Sequence, residues 1–266
     1  MSNASPLHVQ QEGGVLVLTV DHPPVNAFTL PLTRALQKAL AQAARDRTVR
    51  AVLLRGAGRV FSAGQDLTEL QAVAGESLRR HLQATYNPLI LQLRRLEKPV
   101  LAALHGAAAG AALGVALACD LRIAAAGTRF LFGFSGIGLA PDSGMSLFFP
   151  LLLGLGRATE FALTNQALTA AQALEWGLVN RLVPPEQLEA EALAWAQSLA
   201  AGPVQAFGLT KRAFNRALLP HLEAVLDYEA HLQDVAGRSA EHREGLQAFL
   251  EKRPPRFVEL PEEGAL

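Results

Sequence analysis

Val15 to Val20 (VLVLTV) is an unbroken apolar run closed by His22-Pro-Pro24, and it predicts a buried strand, since proline cannot continue a ladder. The next pattern has a helical period. Leu32, Leu36, Leu40 and Ala44 fall on one face of a helix over Leu30–Arg45, with Pro31 suited to its first turn. Ala51–Leu54 reads as a second strand, ending at Gly56-Ala-Gly58. Glu76–Leu96 is helical in pattern, with a kink or break expected at Pro88. Pro99–Leu104 and Leu121–Ala125 are two further short strands. Pro99 to Cys119 carries no charge over about the length of a membrane span. Gly106-Ala-Ala-Ala-Gly110 interrupts it, so a buried strand, turn and helix are expected there. Strands that alternate with helices indicate an α/β fold with parallel pairing and right-handed crossovers.

The pattern changes after about residue 156. Val183 marks the last short strand, and helices follow at Glu186–Ala200, Pro203–Leu218, His221–Ala236 and Ala240–Lys252, before a frayed PEEGAL tail. The expected organisation is an α/β core over residues 1–200 and a helical region over 201–266, without repeats or a low-complexity linker.

Composition narrows the partners. Half of the 266 residues are hydrophobic and 18% are charged, which suits a chain with a sizeable core. Lys plus Arg and Asp plus Glu both number 24, so no net charge points to nucleic acid or an anionic membrane. The one cysteine, Cys119, excludes an intrachain disulfide framework and fits a reducing cytosol. The start, MSNASPLHVQQ, lacks the basic and apolar runs of a secretory signal, and a cytoplasmic location is the expectation.

The common chemical motifs are missing: no GxxxxGK[ST] loop, no GxGxxG after the first strand, no HExxH and no GxSxG. The seven histidines show no metal-ligand spacing. Two glycine-marked turns remain, Phe61-Ser-Ala-Gly-Gln-Asp66 and His105-Gly-Ala-Ala-Ala-Gly-Ala-Ala112. Both follow expected parallel strands, where ligands bind in open α/β folds. Their main-chain N–H groups could form an oxyanion hole; equally, Gly and Ala could serve tight strand–helix packing. Asp142 stands alone in the apolar stretch from Phe130 to Leu155. It suits proton transfer, because apolar neighbours raise a carboxyl pKa. It also suits an N-cap for the following MSLFFPLLL helix. Asp66 reads as a cap for Leu67–Val73, Asp120 as a helix–strand junction, and His105 as a turn residue. Lys211, Arg212, Lys252 and Arg253 read as a solvated helix face that could meet a phosphate.

Six segments, in order, resemble the enoyl-CoA hydratase/isomerase superfamily, the crotonase fold. They are PPVNAF (23–28), GRVFSAGQDLTEL (58–70), EKPVLAALHGAAAGAALGVALACDLRIAA (97–125), FGFSGIGLAPDSG (132–144), GLVNRLVPPEQL (177–188) and FLEKRPPRF (249–257). The resemblance implies a spiral of ββα units, a C-terminal helical trimerisation region, homotrimers or hexamers, and acyl-CoA substrates. It implies an oxyanion hole from the N–H groups of Gln65 and Ala111. It lays CoA past Val25, Ala27, Ala63, Asp66 and Leu67, with Lys252 and Phe257 at the nucleotide end. No metal or redox cofactor is implied.

The two glutamates of the family's hydratases align with Gly114 and Phe134, neither of which transfers a proton, and the acid appears instead at Asp142. Family members with an aspartate there include dienoyl-CoA isomerases, a 4-chlorobenzoyl-CoA dehalogenase and an isomerase of a phenylacetyl-CoA ring epoxide. The last works with a single aspartate and has segments similar to FSAGQDLTE, GLAPDSG and EKRPPRF. The resemblance therefore implies an isomerase using Asp142, with cis-3 to trans-2 enoyl-CoA isomerisation as a companion activity. Phe132, Phe134 and Met145 are the expected acyl pocket. A hydratase or hydrolase of another acyl-CoA, or an acyl-CoA-binding module without turnover, are the other readings.

Overall fold

The computed structural model describes residues 5–72 and 77–260. The chain opens with β1 (Leu7–Glu12), antiparallel to β2 (Val15–Val20) across a turn at Gly13. β1 escapes the hydrophobic pattern because it is an edge strand, buried only at Leu7. From β2 onward the chain repeats one path: a strand in a large sheet, a short extended contact in a second sheet, then a helix. The first turn is β2, Phe28 and α1 (Leu30–Arg45). The second is β3 (Ala51–Gly56), Ser62 to Gln65, and α2 (Leu67–Ala72).

Helices α3 (Leu78–Ala84) and α4 (Tyr86–Arg95) lead to the third turn, made of β4 (Val100–Leu104), β5 (Ala107–Ala109) and α5 (Gly110–Ala118). The fourth is β6 (Leu121–Ala125), β7 (Arg129–Leu131) and α6 (Met145–Leu153). Parallel bridges Phe28–Gln65 and Ser62–Ala108, with the β5–β7 pair, tie successive turns together. The path then runs through α7 (Leu155–Thr164), β8 (Leu168–Thr169), α8 (Ala170–Glu175) and β9 (Arg181–Val183). The large sheet has the order β1-β2-β3-β4-β6-β9 and is parallel except for its first pair; the small sheet is β5-β7-β8.

The uncharged stretch from Pro99 to Cys119 is thus β4, β5 and α5, and no helix among the described residues is long and apolar enough to cross a membrane. The expected helix over 76–96 divides at Thr85 rather than at Pro88. Pro88 sits in the first turn of α4, where its missing N–H removes no intrahelical bond.

Each face of the large sheet is covered. Leu188, Ala192, Ala196 and Ala200 of α9 (Leu188–Ala201) pack on Val17, Leu53, Leu101 and Ile123. The opposite side chains join α1, α4 and α5 in the main core. Three helices complete the chain: α10 (Val204–Leu218), α11 (Leu222–Ala236) and α12 (Ala240–Leu250). α11 packs against α3, α4 and α6, and α12 against the turn Ser135–Ile137. The PEEGAL tail lies outside the described residues.

Lys211 departs from the expected solvated face. It is buried, with Nζ donating to the Leu93 carbonyl at 2.7 Å and to Asp120 Oδ2 at 2.8 Å. Asp120 also takes Arg94 at 3.1 Å and the Val100 N–H at 2.9 Å, which locks the α5–β6 junction. Arg212, the next residue, is exposed and pairs with Glu97. Truncating Lys211 leaves a carboxylate short of its partner. Lys211→Ala should lower the unfolding free energy by about 3 kcal/mol in urea titrations.

Candidate active site

The two glycine-marked turns meet at the carboxyl ends of β3 and β4. Ser62 N–H donates to the Ala107 carbonyl at 3.1 Å, and Ala109 N–H to the Ser62 carbonyl at 3.2 Å. Gly64 has φ +96°, and a Cβ there would lie 2.9 Å from the Ala109 carbonyl oxygen, so the approach needs glycine. Beside it, Gln65 is held through its side chain. Its Oε1 accepts from the Tyr86 hydroxyl at 2.6 Å and faces His81 Nε2 at 3.3 Å. Its Nε2 donates to Glu69 at 3.2 Å, and Glu69 in turn accepts the Leu30 N–H that opens α1. The Gln65 main-chain N–H donates to no protein acceptor among the described residues. Ala111 is the second residue of α5, so its N–H lacks an intrahelical acceptor. Both residues line one cavity of about 460 Å³, and Asp142 lines it too.

Asp142 does not cap α6. The N-cap is Gly144, and its helix end is satisfied from elsewhere in the chain. Glu229 of α11 accepts the Gly144 N–H at 2.8 Å and the Ser146 N–H at 2.9 Å, and it also takes the Ser146 hydroxyl. The Asp142 carboxylate accepts from Ser143 Oγ at 2.7 Å and from Gln233 Nε2 at 2.9 Å. Ser143 and Gly144 both have positive φ, 57° and 78°. Burial pushes the Asp142 carboxyl up to about 6, with the two hydrogen bonds opposing the rise in part. Burial likewise raises Glu229 to about 7, and the Asp142 charge adds to it. The Tyr86 phenol is raised by burial first and by Asp142 second.

Gly114 has a structural reason to lack a side chain. A Cβ there would stand 2.5 Å from the Ser143 Cβ, so the Asp142 turn occupies the space a glutamate would need. Phe134 lines the cavity as expected. Phe132 and Met145 do not. Phe132 sits edge-on behind Phe134 with ring centroids 5.2 Å apart and meets Phe149 and Phe161 at 6.1 Å each, and Met145 is buried beside Gly114. Leu78, Leu82, Tyr86, Leu131, Ile137 and Leu139 make the apolar wall instead.

Ala63 and Leu67 also line the cavity. Val25 and Ala27 do not line it: the Val25 carbonyl takes the Ala63 N–H at 3.0 Å, beside the rim, and the Ala27 carbonyl meets His22 Nδ1 at 2.9 Å. Asp66 caps α2, accepting the N–H groups of Thr68 at 2.9 Å and Glu69 at 3.2 Å. The end of the expected Leu67–Val73 helix lies outside the described residues. At the C-terminal end, Lys252 and Phe257 do not reach the cavity; Phe249, Arg253 and Pro255 do. Lys252 has a left-handed φ of 56° just past α12, and Arg253 beyond it pairs with Glu244.

Glu229 and Gln233 escaped sequence reasoning. Their signal is present: Leu222, Leu226, Glu229, Ala230 and Gln233 are the buried stripe of α11, and polar residues on such a stripe need partners.

Two measurements check this geometry. Folding lifts the Asp142 pKa from 3.8 to about 6, so ionising it costs stability as pH rises between those values. Asp142→Asn should therefore raise thermal stability at pH 8, by up to about 3 kcal/mol, with the gain vanishing below about pH 4. Gly114→Ala should displace the Asp142 turn and lower stability by roughly 1–3 kcal/mol.

Known proteins resemble this chain in sequence and fold. The family model described as enoyl-CoA hydratase/isomerase matches residues 10–260. A 1,2-epoxyphenylacetyl-CoA isomerase of Escherichia coli (strain K12) is 42% identical over 251 residues, 93% of this chain and 96% of its own. A trans-2-decenoyl-[acyl-carrier-protein] isomerase of Streptococcus mutans serotype c is 36% identical over 93% of this chain and 95% of its own. The crystal structure of an enoyl-CoA hydratase from Mycobacterium avium subsp. paratuberculosis K-10 superposes with a TM-score of 0.86 at 36% identity, covering 95% of this chain and 98% of that one. The spiral of four strand–strand–helix turns is the crotonase fold, and the chain belongs to the enoyl-CoA hydratase/isomerase family.

Proposed function

We propose that this chain is an isomerase of CoA thioesters that converts ring-1,2-epoxyphenylacetyl-CoA to oxepin-CoA, with Asp142 as its proton-transfer group. One observation carries the reading. A buried carboxylate with a raised pKa lines the same apolar cavity as two loops whose N–H groups, at Gln65 and Ala111, have no acceptor among the described residues. The thioester oxygen sits on those two N–H groups. Asp142 takes a proton from the adjacent carbon, and the electron pair of that C–H bond moves into the enolate. The hole stabilises the new charge, by roughly 3–4 kcal/mol per donor in comparable sites. The epoxide-bearing ring then expands, and Asp142 returns its proton to a ring carbon. Nothing is gained or lost overall, and no metal or redox cofactor takes part.

A low-polarity wall matters for this step. It keeps Asp142 a stronger base than a solvated carboxylate, yet ionised at neutral pH. Phe134 and the leucines of α3 face the planar ring, while Phe132 and Met145 support the wall from behind. CoA runs past Val25, Ala27, Ala63, Asp66 and Leu67 toward the C-terminal segment of Lys252 and Phe257, where Arg253 faces the cavity. The 42% identity to an enzyme of this name supports the substrate. The neutral residues at Gly114 and Phe134 favour single-acid isomerisation over two-acid hydration. The working form is a homotrimer or hexamer in the cytoplasm. Exposed Leu155, Leu163, Phe214 and Leu218 supply apolar surface for association.

Asp142→Asn should lower turnover of the epoxide by roughly 10²–10⁴-fold while acyl-CoA binding persists. In the wild type, kcat/KM should rise tenfold per pH unit up to about pH 6 and level off above it, because the base must be ionised. Stopped assays with chromatographic detection of oxepin-CoA check both. Unchanged turnover in the folded variant overturns the assignment.

A further inference from the structure

We propose that Glu229 is the positioning residue of this site: its carboxylate fixes the turn that aims Asp142 into the cavity. The inference rests on the Asp142 reading above. Glu229 is buried and does not line the cavity. Its two oxygens are divided between the two ends of the turn. Oε2 takes the Gly144 N–H at 2.8 Å, and Oε1 takes the Ser146 N–H at 2.9 Å together with the Ser146 hydroxyl. That turn needs outside support, because Ser143 and Gly144 are left-handed in succession and Ser143 is not glycine.

The same helix holds the acid directly. Gln233, one turn on from Glu229, donates to Asp142 Oδ2 at 2.9 Å. Its other amide atom, Oε1, is buried and has no partner among the described residues, so the bond to Asp142 is the one that holds this amide there. α11 therefore grips the turn with Glu229 and the carboxylate with Gln233, one turn further along the same stripe. A local Ser or Asp at the N-cap would satisfy α6 without burying a second charge. The chain instead brings an acid from 85 residues away, where burial and the Asp142 charge both oppose its ionisation. As an N-cap alone, that is a costly choice; as a clamp on the acid's turn, it sets geometry that a local cap does not.

The charged and titratable groups around the Asp142 turn come from few elements. α11 brings Glu229, and α4 brings the Tyr86 phenol. α12 brings Glu241 and His242, which touch the far end at Gly138 and Ile137. α5 brings none.

Glu229→Gln offers one acceptor and turns an NH₂ toward the second main-chain N–H. Three readouts on the full-length protein decide the proposal. The first is exchange of the α-protons of phenylacetyl-CoA in D₂O by NMR, which reports proton transfer without ring chemistry. It should slow by about 10–100-fold, in line with a displaced catalytic group. The second is binding of phenylacetyl-CoA by calorimetry, which should stay within about threefold of wild type. The third is the titration of ¹³C-labelled Asp142. It should move to lower pH, since burial is what raises the Asp142 carboxyl and a loosened turn admits water to it.

A melting temperature that falls while exchange and titration stay as in wild type overturns the proposal, for that is a purely structural cap. Should Glu229→Gln not fold, Ser146→Ala removes one of the three hydrogen bonds and must shift exchange and titration in the same directions. Wild-type enzyme that exchanges α-protons but makes no oxepin-CoA sinks the substrate reading and leaves the Glu229 test intact. If it exchanges none, the Asp142 titration still decides.

Discussion

The site depends on keeping one carboxylate inside an apolar wall. Asp142 is buried in a cavity lined by leucine, tyrosine and phenylalanine side chains, and among the described residues its side chain receives two hydrogen bonds, from Ser143 and Gln233. Two bonds hold the ionised form without returning the carboxyl to its solvated acidity. More donors would make it a weaker base; fewer would raise its pKa further. The surroundings follow from this balance. Gly114 leaves room for the turn, and Glu229 and Gln233 hold it from α11.

The spiral explains how distant loops reach one cavity. Each turn places a strand end next to the last, so the SAGQ loop after β3 and the AAAG turn after β4 are bonded through Ser62, Ala107 and Ala109. Gly64 allows that contact by giving up a Cβ. The two N–H groups left over are products of this geometry: one because the Gln65 peptide is held by its side chain, the other because a helix begins at Gly110. Rigid donors of this kind need little reorganisation when charge forms on a bound oxygen.

The C-terminal helices are part of the site. α11 supplies its second buried acid and the amide on Asp142, and the segment after α12 brings Arg253 and Pro255 to the cavity. A site assembled from both ends of the chain couples its geometry to overall stability. Burying the carboxyls of Asp142 and Glu229 opposes their ionisation, so both cost stability when charged.

By itself, the sequence determined most of the elements, because apolar runs and helical periods are local. β2, α1, β4 and β6 follow from their own residues, and so do the two glycine turns and the isolation of Asp142. β1 did not, since an exposed edge strand has no apolar run. What Asp142 does was open between capping and proton transfer, because a proline, an acid and a glycine before a helix read the same in either case. Only the tertiary structure placed Glu229 on the helix end and the Asp142 side chain at the cavity. The inward burial of Lys211, the packing of Phe132 behind the cavity wall and the approach of Arg253 rather than Lys252 have the same origin. Each depends on which residue, far along the chain, packs opposite, and no local pattern records that.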